Sequence, residues 1–284
     1  MTKIDAYFDD ATNTVTYLVE DEATKDAVLI DPVLDYEPHR AALQTRSVDK
    51  ILGHVSERKL TLRWVLDTHA HADHLSAADY VREQTGAKIG IGAKITDVQK
   101  LFRPIFNASD VCDQGAVFDA LLNEGDAISF GESSIKVIHT PGHTPACVTY
   151  LIDDAAFVGD TLFMPDYGTA RADFPGGDAR TLYQSIGKIL SLPPETRIFV
   201  GHDYLPAERD APAWESSVAE QLASNIHLRA HDEETFVSMR NARDKTLTAP
   251  RLILPSLQVN IRAGALPLPE DDGQVYLKLP INRL

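Results

Sequence analysis

Cysteine is scarce: Cys112 and Cys147 are the only two in 284 residues. Two cysteines in a chain of this length do not make a disulfide framework, so a reducing compartment, the cytoplasm, is the expected location. Basic charge is in deficit as well, with a formal net charge of −15 spread along the chain rather than gathered in a tail. That balance argues against nucleic acid or an anionic membrane as a partner, since both need a basic footprint. It leaves room for a local basic pocket that takes a small anion. Long apolar runs are missing too. The opening residues Met1-Thr2-Lys3-Ile4-Asp5 carry acid early and lack the apolar stretch of a signal peptide. No segment approaches the ~18 apolar residues that span a bilayer, and there is no internal repeat or low-complexity tract.

What is present is ordinary for a globular protein with a buried core: 44% hydrophobic and 24% charged residues. The length suits one large domain or a domain with an extension. Apolar and β-branched runs bounded by turn residues predict strands over 14–19, 27–30, 62–66, 88–91, 127–130, 135–139, 147–152, 155–158 and 197–200. Helical periodicity predicts helices over 40–55, 75–84, 179–190, 214–225 and 233–243, the second stopped by Gly86. Residues 96–117 have no clear pattern, and the tail beyond 243 reads as extended segments punctuated by proline. Strands in runs separated by helices predict two sheets covered by helices, an α/β (α+β) protein rather than one doubly wound parallel sheet. The expected division is a core over 1–205 and a C-terminal helical and extended segment over 206–284, packed on the core and completing the substrate site.

The chemistry gathers at strand ends. Thr68-His69-Ala70-His71-Ala72-Asp73-His74 places four candidate ligands within six residues, just after the strand 62–66 and before a helix. Histidine nitrogen with carboxylate oxygen suits zinc, iron or manganese. Three further elements repeat the placement: Thr140-Pro141-Gly142-His143, Gly159-Asp160-Thr161 and Gly201-His202-Asp203. Each offers one ligand type past a strand, beside a glycine that lets the backbone turn sharply. A lone histidine after a glycine is weak evidence, but the ordered set is strong. His39, His54, His227 and His231 have no partners at ligand spacing and read as surface residues. His139 reads as a hydrogen-bonded strand residue, and Cys147, among Ala146, Val148 and Tyr150, as a small core cysteine.

The set His69, His71, Asp73, His74, His143, Asp160 and His202 resembles the ligand set of the metallo-β-lactamase superfamily. The resemblance covers about residues 5–205 and implies a four-layer αβ/βα sandwich, with a C-terminal extension and a metal groove at one edge of two sheets. Read naively, seven ligands imply a dinuclear zinc hydrolase of the glyoxalase II kind, in which a metal-bound hydroxide attacks a thioester. There His69, His71 and His143 would hold one metal, Asp73, His74 and His202 a second, and Asp160 would bridge them.

Finer motifs resemble the persulfide dioxygenase family, in a longer bacterial form. These are Thr169-Ala170-Arg171-Ala172-Asp173-Phe174, the helix Ala179-Arg180-Thr181-Leu182-Tyr183-Gln184-Ser185-Ile186, the run Gly201-His202-Asp203-Tyr204, and the closing segment from Leu254 to Gly264 that contains Asn260 and Arg262. Where that family has Gly-Cys-Gly before the arginine, this chain has Tyr167-Gly168-Thr169-Ala170. The resemblance implies a single Fe(II) held by His69, His143 and Asp160, a facial triad with open positions for a persulfide sulfur and O₂. It implies oxidation of glutathione persulfide with O₂ and water to sulfite and glutathione. His71, Asp73, His74 and His202 would then orient ligands, hold waters or donate hydrogen bonds to bound oxygen. Glutathione carries two carboxylates, for which Arg171 and Arg262 are the candidate partners. Tyr204 is a candidate contact for the peptide. A non-catalytic metal-binding module is the remaining reading, disfavoured because no ligand is missing. A homodimer is the expected assembly.

Overall fold

The computed structural model describes residues 2–228 and 232–283, so His231 lies outside the described residues. Two six-stranded sheets face each other. The first runs in the order Thr2–Asp9, Thr14–Asp21, Asp26–Ile30, Thr61–Asp67, Lys88–Gly92, Ala120–Leu122. The second runs Ala127–Phe130, Ser133–His139, Val148–Ile152, Ala155–Phe157, Arg197–Phe199, Glu215–Ser217. A small third sheet joins Ala42–Gln44, Val33–Glu37 and Leu75–Ser76.

Strand alternation sorts the apolar residues into layers. Val28 and Ile30 point between the two sheets, where they meet Ile135, Val137, Tyr150, Phe157 and Phe199 of the second. Their neighbours Ala27 and Leu29 point outward, beneath the helices Arg46–Glu57, Ala78–Thr85 and Ile95–Ile105. On the far side, Ala156, Ile198 and Val200 are covered by Leu182, Ile186 and Ile189 of the helix Ala179–Leu190 and by Phe236 of Glu233–Asp244. Three apolar layers between four layers of secondary structure make the expected αβ/βα sandwich.

Departures from the sequence reading have identifiable causes. The helix expected over 40–55 begins at Arg46, because Ala42–Gln44 pairs with Val33–Glu37 instead. Asp35 on that strand caps the helix, accepting from the backbone N–H and hydroxyl of Ser47 at 3.0 and 2.6 Å. The helix expected over 214–225 starts at Val218, since Glu215–Ser217 forms the edge of the second sheet against Arg197–Phe199. The unassigned stretch after residue 95 holds the helix Ile95–Ile105, with Ile95, Val98 and Phe102 buried on one face. The tail expected to be extended contains the helix Ile253–Asn260. Pro255 stands in its first turn, where a missing N–H is no loss, and the buried residues Leu257, Val259, Ile261 and Ala263 join the core beneath the first sheet. Among the described residues no helix is long and apolar enough to cross a membrane.

His54 accepts or donates a 2.8 Å hydrogen bond with the Tyr7 hydroxyl, and His227 is buried against the Thr169 backbone N–H at 3.0 Å. His227 is therefore a structural residue and not the surface residue expected. His39 is exposed, and His139 bonds the Pro145 carbonyl at 3.0 Å.

Candidate metal centre

Parallel pairing brings the ligand-bearing turns to one edge. Asp26–Ile30 and Thr61–Asp67 run parallel, so Asp31 and Thr68 leave adjacent strand ends together. Ala155–Phe157 and Arg197–Phe199 are also parallel, which sets Asp160 beside His202. Gly159 occupies the left-handed region at φ 51°, and a Cβ there would lie 2.5 Å from the Thr68 hydroxyl oxygen. Only glycine lets this turn pass so close to the His69 loop.

All seven expected residues converge. Ligand-type atoms of His69, His143 and Asp160 lie within 4.8 Å of one another, as do those of His71, Asp73, His74 and His202. Asp160 Oδ2 stands 3.8 Å from His69 Nε2 and 3.6 Å from His143 Nε2, while its Oδ1 is 3.4 Å from His202 Nε2. One carboxylate thus faces both groups.

The fit to a cation is tested by the buried atoms that have no partner: His69 Nε2, His71 Nδ1, His74 Nε2, His202 Nε2 and Asp160 Oδ1. Buried polar atoms are normally hydrogen-bonded, and these five all turn toward the same space. The opposite ring nitrogens are anchored. His143 Nδ1 donates to the Arg171 carbonyl at 2.8 Å, and His71 Nε2 donates to Asp31 Oδ1 at 2.9 Å. Asp31 also accepts from the Thr68 N–H and hydroxyl at 2.7 and 2.9 Å, leaving the Thr68 oxygen to accept from His69 Nδ1 at 3.0 Å. These outer partners orient imidazoles as metal ligands.

The charge states agree at His69 and His71, whereas at His202 burial is outweighed by Asp160 and Asp73, which raise it above the ordinary histidine value. Burial, reinforced by neighbouring imidazoles, holds His69 and His71 well below the ordinary histidine range, so they are neutral and carry free lone pairs. Burial works against a charged Asp73, yet His202 and His74 pull it well below the usual carboxylate value. Burial raises Asp160, a cost that a bound cation offsets.

Residues 9–202, more than half of the chain, match the family described as the metallo-beta-lactamase superfamily. The chain belongs to that superfamily. It is 52% identical over 282 residues to a beta-lactamase hydrolase-like protein of Xylella fastidiosa, covering 99% of this chain and 65% of that protein. The chain thus spans just under two thirds of that relative's length. It is 50% identical to a Burkholderia pseudomallei protein named a probable metallo-hydrolase, with 99% of each covered. It is 32% identical to the human mitochondrial persulfide dioxygenase ETHE1, covering 90% of this chain and 87% of that one. Among solved structures, ETHE1 from Myxococcus xanthus superposes with a TM-score of 0.74 at 32% identity, over 93% of this chain and all of that chain.

In this superfamily member a cavity of about 390 Å³ opens onto Asp73, His143 and Asp160. Phe163, Tyr167 and Tyr204 wall one side with ring centroids 5.1–5.7 Å apart, and Tyr204 stacks on His202 at 5.6 Å. Arg171 lines the cavity as expected, but Asp173 holds its guanidinium at 2.7 Å and the Thr248 carbonyl takes another N–H at 2.7 Å. Arg262 corrects the sequence reading. It lines a different cavity, and Asp110 takes it bidentately, at 2.7 Å for both contacts. Three arginines that the sequence did not flag also line the metal cavity: Arg240 is buried and paired with Asp244, and Arg243 and Arg251 reach its rim. Both are exposed and, among the described residues, neither has a carboxylate partner.

Asn260 was visible only as part of the closing motif. Its side-chain amide donates to the His71 and His74 carbonyls, both at 2.8 Å, while its Oδ1 accepts from the Ser76 N–H at 2.8 Å. The C-terminal helix thereby ties down the loop that carries four of the seven ligand residues.

Proposed function

We propose that the chain is a non-haem iron persulfide dioxygenase that converts glutathione persulfide, O₂ and water to glutathione and sulfite. The observation that carries this reading is where the family-resembling motif falls. Arg171-Ala172-Asp173-Phe174 is the segment whose carbonyl fixes His143, and the Phe174 ring lies 6.2 Å from the His143 ring. The Arg171–Asp173 pair stiffens that segment. The 32% identity to the human persulfide dioxygenase over nearly the whole chain supports the same reading.

His69, His143 and Asp160 would hold the iron. Bound there, Fe(II) supplies open coordination positions and the electron transfer between persulfide sulfur and O₂. The chain's own residues do the rest. Phe163, Tyr167 and Tyr204 give the cavity an apolar wall that keeps bulk water from the reactive sulfur. Arg243 and Arg251 at its rim match the two glutathione carboxylates by charge. Asp73 and His202, 3.1 Å apart beside the triad, form a pair that can exchange a proton with water as sulfite is released.

One observation favours a second reading. The unpartnered nitrogens of His74 and His202, grouped with Asp73, complete a second metal position, which suits a dinuclear zinc thioester hydrolase. The name of the Burkholderia relative points the same way. Oxygen uptake by anaerobically purified, iron-loaded protein given glutathione persulfide separates the two. Oxygen consumed with matching sulfite is the expected result. No uptake, together with cleavage of S-D-lactoylglutathione by zinc-loaded protein, would overturn the proposal in favour of the hydrolase.

A further inference from the structure

The hairpin joining Thr2–Asp9 to Thr14–Asp21 touches two rings of the metal centre at once through one hydroxyl. Thr14 is fully buried, and its Oγ1 lies 3.2 Å from His74 Nδ1 and 3.3 Å from His202 Nδ1, two rings 128 residues apart in the chain. The same oxygen lies 2.8 Å from Thr12 Oγ1, and the Thr12 hydroxyl donates to Asp9 Oδ2 at 2.7 Å.

The direction of every proton along this chain follows from its ends. Asp9 only accepts, and it takes the Thr12 hydroxyl proton and the Thr12 N–H, the latter at 2.9 Å. Thr12 Oγ1 is then left to accept from the Thr14 hydroxyl. With its single proton committed, Thr14 Oγ1 offers two lone pairs to two imidazoles, so both must present Nδ1–H. Each ring has an independent acceptor that demands the same proton: the Asn13 carbonyl at 3.3 Å from His202 Nδ1, and Asp73 Oδ2 at 3.5 Å from His74 Nδ1. The remaining nitrogens, His74 Nε2 and His202 Nε2, are the ones left buried without partners.

We infer that Thr14 is a positioning residue: through Thr12 and Asp9 it locks His74 and His202 as Nδ1–H tautomers whose Nε2 atoms face the metal centre. Asp31 and Thr68 do the same for His69 on the other side. A carboxylate orders a threonine hydroxyl, and the hydroxyl orders the ring. As Nδ1–H tautomers, His74 and His202 present a lone pair at Nε2 and do not donate hydrogen bonds from it to bound oxygen, contrary to the role suggested by the family resemblance. The inference holds for either reaction and is tested without turnover.

The experiment is long-range ¹H–¹⁵N correlation of the histidine rings in the whole chain, metal-free and zinc-loaded. Both Nδ1 atoms should carry a bonded proton in slow exchange. Thr14→Val should speed that exchange by about fivefold, the factor that one ordinary hydrogen bond is worth, and Thr14→Ser should restore it. Thr12→Val should disturb at least one of the two rings, because the Thr14 proton loses its acceptor. An unprotonated Nδ1 in the wild-type protein, or a Thr14→Val spectrum matching wild type, would overturn the inference. Should Thr14→Val not fold, the wild-type spectrum and Thr12→Val decide it, and a Thr12→Val spectrum unchanged from wild type would then count against the relay.

Discussion

Removing the Asn260 side chain should damage the metal centre from outside it. Asn260 is 1% exposed and makes three 2.8 Å hydrogen bonds, two to the carbonyls of His71 and His74 and one from the Ser76 N–H. Asn260→Ala strands three buried backbone groups, each at a cost of about 1–3 kcal/mol. The low end sums to about 3 kcal/mol, which at about 2–4 °C per kcal/mol lowers Tm by roughly 6–12 °C. With its carbonyls released, the loop holds its ligands less well, and metal affinity should fall by about 10–100-fold, as when other outer partners of metal ligands are lost. Asn260→Asp sharpens the test. It keeps the acceptor for Ser76 but turns an oxygen toward two carbonyls, so it should bind metal no better than Asn260→Ala despite its matching shape. Metal titration beside thermal unfolding reads both quantities. An Asn260→Asp protein with wild-type metal affinity, or an Asn260→Ala protein whose Tm moves by less than about 2 °C, would refute the reasoning.

Other outcomes follow from the same site. Asp160→Ala should abolish metal binding and activity, because that carboxylate faces both groups of ligands; an active, metal-loaded variant would sink the assignment. Asp73→Ala should keep one equivalent of iron under the proposed function, whereas loss of all metal would favour the dinuclear reading. Replacing both Arg243 and Arg251 with alanine should raise KM for glutathione persulfide by at least about tenfold with metal content unchanged, while Arg262→Ala should lower stability and leave KM alone. Burial pushes the Cys147 thiol up to about 12, so at pH 8 only about one molecule in ten thousand carries its thiolate. A disulfide reagent should therefore label Cys112, which is exposed, and reach Cys147 only on unfolding; rapid labelling of both would contradict the burial.

The ligand residues were legible in the sequence because each stands within a few residues of a strand end, so that spacing along the chain reports position in space. Thr61–Asp67, Ala155–Phe157 and Arg197–Phe199 all stop just before a ligand-bearing turn. The parts that were not legible depend on distant partners. Leu43 reads as a helix residue by periodicity, but its strand is set by Tyr36, and the start of the following helix by the Asp35 carboxylate. Nothing near Glu215 announces that it will pair with Phe199. The arginines show the limit most clearly. Arg171, Arg243, Arg251 and Arg262 have the same side chain, and only the neighbours decide which are neutralised. Asp173 is two residues from Arg171 and visible in sequence, whereas Asp110 lies 152 residues from Arg262.

The two halves of the centre are built alike, and that bears on how one scaffold serves two chemistries. On each side a carboxylate outside the ligand set fixes a threonine hydroxyl that fixes an imidazole: Asp31 through Thr68 to His69, and Asp9 through Thr12 and Thr14 to His74 and His202. Asp160 lies between them and faces both. Ligand orientation therefore does not discriminate between one metal and two, because both halves present lone pairs inward. The difference must lie in what else occupies the cavity. Under the proposed function the substrate needs a dry wall and an anchor for its two carboxylates, and Phe163, Tyr167 and Tyr204 on the His202 side, with Arg243 and Arg251 at the rim, line the same cavity as His143 and Asp160. The decisive perturbation for function is therefore at the rim, at Arg243 and Arg251, where substrate choice can change while the metal ligands keep their places.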